Sequence, residues 1–291
     1  MSKFAQKKQA FSLVEVALVV LITGFLITAA MQATNMIRSF KLMGARAQTK
    51  SSSVNGISGI VAWFDTTSER SFDKKEAIDG KKISQWNDIN SQSVVGNNAT
   101  QTGNARPTYV FDPSVANGLP VLRFDGNDYF DLPNGTIPDS DYDYTFFFVM
   151  RVPNISESYG VLGSGDYTTE NGSNMVSFRA GGFVENNWQK NTLLTRTISV
   201  SATKMQVFTF MYENTNGRKI YVNGVFRGED NAVNHKGLPT SNTIGKVTIT
   251  NIPDLYFKGD IAEIILFGRA LSKDERQMVE KYLAKKWAIT L

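Results

Sequence analysis

Three successive patterns of apolar and polar positions divide the chain. From Phe11 to Ala33 nearly every residue is apolar or small, enough to cross ~30 Å of hydrocarbon as a helix rising ~1.5 Å per residue. The run then turns periodic: Met31, Ile37, Phe40, Met43 and Ala47 recur at helical spacings, and no proline occurs before Pro107, so one helix is predicted over residues 11–48. "TKSSSVNGISG", residues 49–59, is rich in Ser, Asn and Gly and is predicted to be a linker. From residue 60 onward, short β-rich runs alternate with Gly- and Asn-rich connections: "IVAWF", "LPVLRFDG", "YTFFFVMRV", "NMVSFR", "MQVFTFMYE", "KIYVNGVFRG" and "DIAEIILFGR". Asn223-Gly224 predicts a type I′ hairpin turn, because both central positions of that turn need positive φ. The chain closes on a helix over residues 272–288. Ser272 and Glu275 stand at capping-box spacing, and Met278, Val279, Tyr282, Leu283 and Trp287 trace one face. No repeat is visible, and strands do not alternate with helices, so residues 60–291 are expected to form a mainly β, antiparallel two-sheet sandwich.

Charge sharpens the division. Residues 1–50 hold seven basic residues against Glu15 alone, a net of +6, which leaves 24 basic and 26 acidic groups, net −2, in residues 51–291. A near-neutral domain lacks the clustered Lys and Arg that nucleic acid requires, so no nucleic-acid partner is expected. Lys3, Lys7 and Lys8 keep the N-terminus cytoplasmic by the positive-inside rule. The chain has no cysteine and one histidine, His235, which argues against disulfides, thiolate metal sites and imidazole catalysis. His235 is expected to be a solvated loop residue.

Glu15 is the anomaly, since a carboxylate within an apolar span costs a few kcal/mol and calls for a partner. Its context, "KKQA" followed by "FSLVEVALVVLITGFL", resembles the processing and assembly signal of type IV pilins and type II secretion pseudopilins. The resemblance implies a leader at residues 1–10, cleavage by prepilin peptidase between Ala10 and Phe11, and N-methylation of the new Phe11 amine. Alanine at position 10 departs from the family's usual glycine. A free Phe11 amine with a pKa near ~8 lies one helical turn from Glu15, so the carboxylate is expected to pair with it or with the amine of a neighbouring subunit during assembly. The alternative is a Glu that reaches the interface in a simple membrane anchor.

The large domain carries a second resemblance. "VAWFD", "LPVLRFDGNDYFDLP", "YVNGV" and "FKGDIAEIILFGRALSKDERQMVEKYLAKKW" look like concanavalin A-like, laminin-G-type jelly rolls over nearly all of residues 60–288. Members of that group bind glycans or calcium, or serve as spacers. Trp188, Tyr159 and Tyr167 lie in polar, loop-like contexts and are the candidate glycan-stacking rings, whereas Trp63, Trp86 and Trp287 are expected in the core. Asp139, Asp141 and Asp143 lie on one side of an extended segment, an oxygen set of the kind calcium accepts, although solvated turn residues are the stronger reading. Asp125 and Asp128 are expected in a tight turn. No cofactor is required for folding. Asp260 and Glu263, three apart, are expected on opposite faces of a strand, as a strand-entry and an edge or capping carboxylate rather than a glycosidase pair.

The leading expectation is a non-enzymatic pilin-like subunit. It would be made at the inner membrane among lipid and other pilin or pseudopilin subunits, and after assembly would display its sandwich on a pilus or cell surface for adhesion or for capture of a carbohydrate or other surface ligand. A purely structural pilus or pseudopilus subunit is the second class, and a membrane-tethered glycan-active enzyme the third.

Overall fold

The computed structural model describes residues 12–138, 140–165, 167–195, 200–237, 241–248 and 253–291. Helix α1 runs Leu13–Lys50. The chain divides into two compact units, Met1–Met43 and Gly44–Leu291. From Leu13 the described part of the first unit is helix, with every apolar side chain exposed through Phe40.

The second unit is a sandwich of two eight-stranded antiparallel sheets. In chain order the strands are β1 (Ile60–Asp65), β2 (Gln85–Trp86), β3 (Ala99–Thr100), β4 (Thr108–Phe111), β5 (Pro120–Asp125), β6 (Phe130–Asp131), β7 (Tyr144–Arg151), β8 (Tyr159–Gly165) and β9 (Ser173–Arg179). They continue as β10 (Phe183–Asn187), β11 (Thr192–Thr195), β12 (Gln206–Glu213), β13 (Gly217–Val222), β14 (Val225–Asp230), β15 (Thr243–Ile244), β16 (Lys246–Val247), β17 (Leu255–Tyr256) and β18 (Lys258–Phe267), before helix α2 (Lys273–Trp287). The first sheet has the order β14-β13-β12-β7-β18-β5-β4, and the second β11-β10-β9-β8-β15-β6-β3-β2. Strand β18 carries β5 along its first half and β1 along its second.

The central strands of the first sheet are apolar on both faces, and the structure shows why. Phe146, Phe148, Phe208, Phe210, Ile264 and Leu266 point inward to meet Phe130, Val176, Phe178 and Val184 of the opposite sheet. On the outer face Phe147, Val149, Val207, Ala262, Ile265 and Phe267 form a second core beneath Val279, Leu283 and Trp287 of α2. A continuous apolar strand is what burial on both sides demands. Helix α2 starts as expected, with Ser272 and Glu275 capping each other's backbone. Met278, placed on its apolar face by periodicity, is instead 40% exposed. Asn223 and Gly224 both take positive φ, at 49° and 73°, in the β13–β14 turn.

The segment at 49–59 is not a free linker. Helix α1 continues to Lys50, and Ser53–Gly56 forms a 3-10 turn capped by Ser52. Ala45, Val54 and Ile57 are buried in the second core, while the Asn55 side chain donates to the carbonyls of Thr49 and Ser52. Strand β8 was hidden by its glycines. A Cβ on Gly160 would lie 2.5 Å from the carbonyl oxygen of Leu255 and 2.7 Å from Val247. Glycine here admits the β16–β17 hairpin against the strand, as strand glycines do where backbones approach closely.

Two predictions follow from this packing. The fragment 57–291 lacks Ala45 and Val54, and full burial of one valine is worth ~1.5–3 kcal/mol, so it should unfold at lower urea than 44–291. Equal midpoints would show residues 44–56 to be dispensable. At the start of α2, hydrogen bonds from Arg269 and then from the Ser272 backbone lower the Glu275 carboxyl to about 2. Its folded pKa lies below the unfolded value, so its contribution is full at neutral pH and fades as pH falls through about 4.5 toward 2. A Glu275→Gln chain should show a shallower loss of stability across that window in acid titrations followed by circular dichroism. An unchanged slope would remove the charge from the helix start.

Candidate functional site

The three rings expected to stack on sugar are all turned inward. Trp188 is fully buried, and Tyr159 and Tyr167 nearly so. Tyr159 lies on β8 with its ring against Phe257; Tyr167 packs with Met175 and Val247 under the β16–β17 hairpin. Trp188 anchors a polar network inside the domain: its Nε1 donates to Tyr144 Oη at 3.2 Å, whose hydroxyl donates to Asn186 Oδ1 at 2.8 Å. The buried Arg218 guanidinium stacks on the Trp188 ring at 4.2 Å and donates to Asp230, to Asn191 and to the Asn186 carbonyl. Burial raises the Tyr144 hydroxyl to about 12.

His235 belongs to the same network and is not a solvated loop residue. It is buried, its ring lies 4.7 Å from that of Trp188, and its nitrogens face the carbonyls of Ser140 at 2.6 Å and Ser173 at 3.1 Å. Burial lowers its pKa. "ENNW" and the lone histidine read as loop because polar residues that satisfy one another inside a protein look, in sequence, like polar residues facing water.

The carboxylate pair is also buried. The register of β18 against β7 shifts between Ile261 and Glu263, and this bulge cancels the parity argument that put Asp260 and Glu263 on opposite faces. Both face outward from the sandwich, but under cover and fully buried. Asp260 is held by Arg123 and Arg151. Glu263 accepts from Trp63 Nε1 and Tyr282 Oη on one oxygen, at 2.8 Å each, and from Lys286 Nζ at 2.8 Å and Trp287 Nε1 at 2.7 Å on the other. Lys286, with no exposed surface, also bridges to Asp65 at 2.8 Å and Thr49 at 2.9 Å. Asp65 in turn accepts from Thr67 and Thr49. Burial raises the Glu263 carboxyl above its ordinary range. Both carboxylates are spent on buried ion pairs in an interior strand, so neither is an edge residue. Trp63, Trp86 and Trp287 are core, as expected.

Of the proposed oxygen set, Asp139 lies outside the described residues. Asp141 accepts from Tyr212 Oη and the His235 backbone, and Asp143 from the Asn214 backbone, so these two fix turns. Asp125 and Asp128 close a turn through the Asp125 N–H, with Lys82 3.1 Å from Asp128. Among the described residues no group of three or more His, Asp or Glu side chains is arranged to hold a metal ion. Ala10 and Phe11 also lie outside the described residues. Glu15 completes a capping box at the start of α1: its carboxylate accepts from the Ser12 N–H at 2.8 Å, and its own N–H donates to Ser12 Oγ at 3.4 Å. The Ser-x-x-Glu spacing was the available signal.

An open cleft of about 850 Å³ lies between the start of α2 and the uncovered outer face of β12, β13 and β14. Met211, Glu213, Lys219, Tyr221, Phe226 and Glu229 form its strand wall. Tyr221 and Phe226 meet edge to face at 5.7 Å, and the Arg276 guanidinium lies 3.8 Å over Tyr221. Strict alternation in "FTFMYE" and "KIY" places Met211, Glu213, Lys219 and Tyr221 on one face; a search confined to loops passes over them.

Residues 124–275 match the family model Laminin_G_3, described as the concanavalin A-like lectin/glucanases superfamily. The chain belongs to this superfamily. No curated protein sequence matches it. Solved structures similar to this concanavalin A-like chain include domain 4 of AbnA, a GH43 extracellular arabinanase from Geobacillus stearothermophilus in complex with arabinotriose. Its TM-score is 0.51 at 16% identity, covering 77% of this chain and 98% of that one. The binding domain of Paraclostridial Mosquitocidal Protein 1 gives 0.55 at 14% identity, covering 81% of this chain and 56% of that one. Trypanosoma rangeli sialidase in complex with sialic acid gives 0.53 at 14%, covering 81% and 34%. The chain thus spans about half and about a third of the latter two, and at these identities the likeness is one of fold.

Lys286 provides the test of this superfamily member's buried cluster. Lys286→Ala leaves two carboxylates buried without their cation and should cost ~3–5 kcal/mol in urea denaturation. A loss below about 1 kcal/mol, the range of exposed pairs, would show water reaching the cluster.

Proposed function

We propose that the chain is a pilin-like subunit of the inner membrane that displays a concanavalin A-like domain for adhesion or ligand capture. The observation that carries the reading is α1, a 38-residue helix with an apolar stretch of mean hydropathy 2.4, none of it buried. An uncovered surface of that kind needs lipid or other helices around it. The basic leader, the Ala10-Phe11 junction and Glu15 add the processing signal, with prepilin peptidase and other pilin or pseudopilin subunits as partners. The domain acts by binding and display: Asp260 and Glu263 are committed to buried ion pairs rather than to acid–base chemistry.

Cleavage after Ala10 would leave Ser12, which caps α1, as the second residue of the mature chain. The new amine would then be that of Phe11, four residues before Glu15 in sequence. Mass spectrometry of protein from a host with prepilin peptidase should give a mature start at Phe11; a start beyond Ala30 would indicate ordinary signal removal. Glu15→Gln keeps the hydrogen-bonding side chain of the cap but removes the charge. It should insert and be cleaved, yet fail to enter filaments, whereas filament incorporation at the level of the unmodified chain would refute charge pairing.

A further inference from the structure

The cluster beneath α2 holds more than charges. Lys286 Nζ lies 2.8 Å from Asp65 Oδ2 and 2.8 Å from Glu263 Oε2, and none of the three side chains has exposed surface. Asp65 Oδ1, the oxygen not shared with the amine, accepts from the Thr67 N–H at 2.8 Å and from Thr67 Oγ1 at 2.7 Å. Thr49 Oγ1 links the other groups: it lies 2.9 Å from Nζ, 2.9 Å from Asp65 Oδ2 and 3.1 Å from Tyr282 Oη. Tyr282 Oη in turn donates to Glu263 Oε1 at 2.8 Å. An amine, a carboxyl group, a second carboxyl in contact with the amine and two donors on the acyl oxygen are the parts of an acyl transfer.

We infer that Lys286 and Asp65 condense to an intramolecular isopeptide bond, with Glu263 as the catalytic base. Moving one proton off Nζ turns the ammonium into a nucleophile, and Glu263 Oε2 is in contact to take it. Burial favours the protonated form of this carboxyl. The amine then attacks Cγ of Asp65, and the negative charge that develops on Oδ1 falls on the two Thr67 donors, as in an oxyanion hole. The proton held by Glu263 reaches Oδ2 along the Tyr282 and Thr49 hydroxyls. The Cγ–Oδ2 bond breaks and the oxygen leaves as water. Of the three protons on Nζ, one stays on the amide nitrogen and two leave with Oδ2. The charges of the pair cancel, Glu263 ends as it began, and no oxidant, reductant or activated acyl donor is needed.

The hydroxyl relay also selects Asp65 over Glu263 as the acyl partner. The Glu263 oxygen beside Nζ is otherwise held by Trp287 Nε1 at 2.7 Å, and an indole N–H serves only as a donor. Condensation of an acid with an amine is unfavourable in bulk water. Groups held in reacting geometry reach effective molarities of roughly 10⁵–10⁸ M, and a site closed to water drives the loss of water forward. The bond would close residues 65–286 into one covalent ring from the first strand to the last helix, in a chain that has no cysteine for the purpose.

The inference is independent of both the pilin and the ligand-capture readings. The test is the mass of the full chain, expressed without prepilin peptidase, folded in detergent and then denatured. It should be lighter by one molecule of water than the sequence from its measured N-terminus requires. A tryptic digest should give one branched peptide in which tandem mass spectrometry places the link between Asp65 and Lys286. Lys286→Arg, which keeps the cation, should restore the full mass. Glu263→Gln should slow the loss of water by about a hundredfold or more, with its circular dichroism spectrum unchanged. The mass of the unaltered chain decides the matter whether or not the variants fold: a full sequence mass would overturn the inference. Water lost equally from Lys286→Arg would overturn it too. A link from Lys286 to Glu263 would overturn the choice of Asp65, and an unaltered rate in Glu263→Gln would remove Glu263 as the base.

Discussion

A single buried ammonium joins the parts of the domain. Lys286 reaches from the last helix to Asp65 on the first strand, Glu263 on the central strand and Thr49 at the end of α1. Two carboxylates taken out of water must each find donors, and here every oxygen of both does. Buried ion clusters are weak sources of net stability but intolerant of rearrangement. A different docking angle of α2 would strand a charge, which fixes one arrangement among the many that apolar packing alone would accept.

That fixed helix partitions the outer face of the first sheet. On one side of the partition lies the second core, closed by Val279, Leu283 and Trp287 together with Ala45, Val54 and Ile57. On the other side lies the cleft, whose floor is β12, β13 and β14 of the same sheet and whose outward residues are Lys219, Tyr221, Glu229 and their neighbours. Strand β12 serves both: Val207 lies in the closed core, and Met211 and Glu213 line the cleft. The outward positions of one strand thus run from Val207 in the closed core, through Thr209, which donates to Glu280 of the helix, to Met211 and Glu213 in the cleft.

The architecture was legible wherever burial writes an apolar pattern. The strands of "YTFFFVMRV" and "DIAEIILFGR", the Asn223-Gly224 turn, the Ser272–Glu275 cap and the core placement of Trp63, Trp86 and Trp287 could all be read from local chemistry. Three things could not. Trp188 and His235 are buried among polar partners, so their neighbourhood in sequence mimics a loop. Glu263 changes face because of a bulge at Ala262, and a bulge has no compositional mark here. The cleft residues come from three strands and a helix start, and only their alternation, strand by strand, hinted that they share a face.

The hydrogen bond between Lys286 and Thr49 joins residues 237 apart in sequence. Nearly the whole chain must therefore leave the ribosome before this junction can close. Contacts of such long sequence separation carry the loop-closure entropy that slows folding. In the interval the outer face of β7 and β18 stays uncovered, with Phe147, Val149, Ile265 and Phe267 facing water. A nascent chain in that condition is a natural client for chaperones, and the rate at which α2 arrives sets how long that exposure lasts.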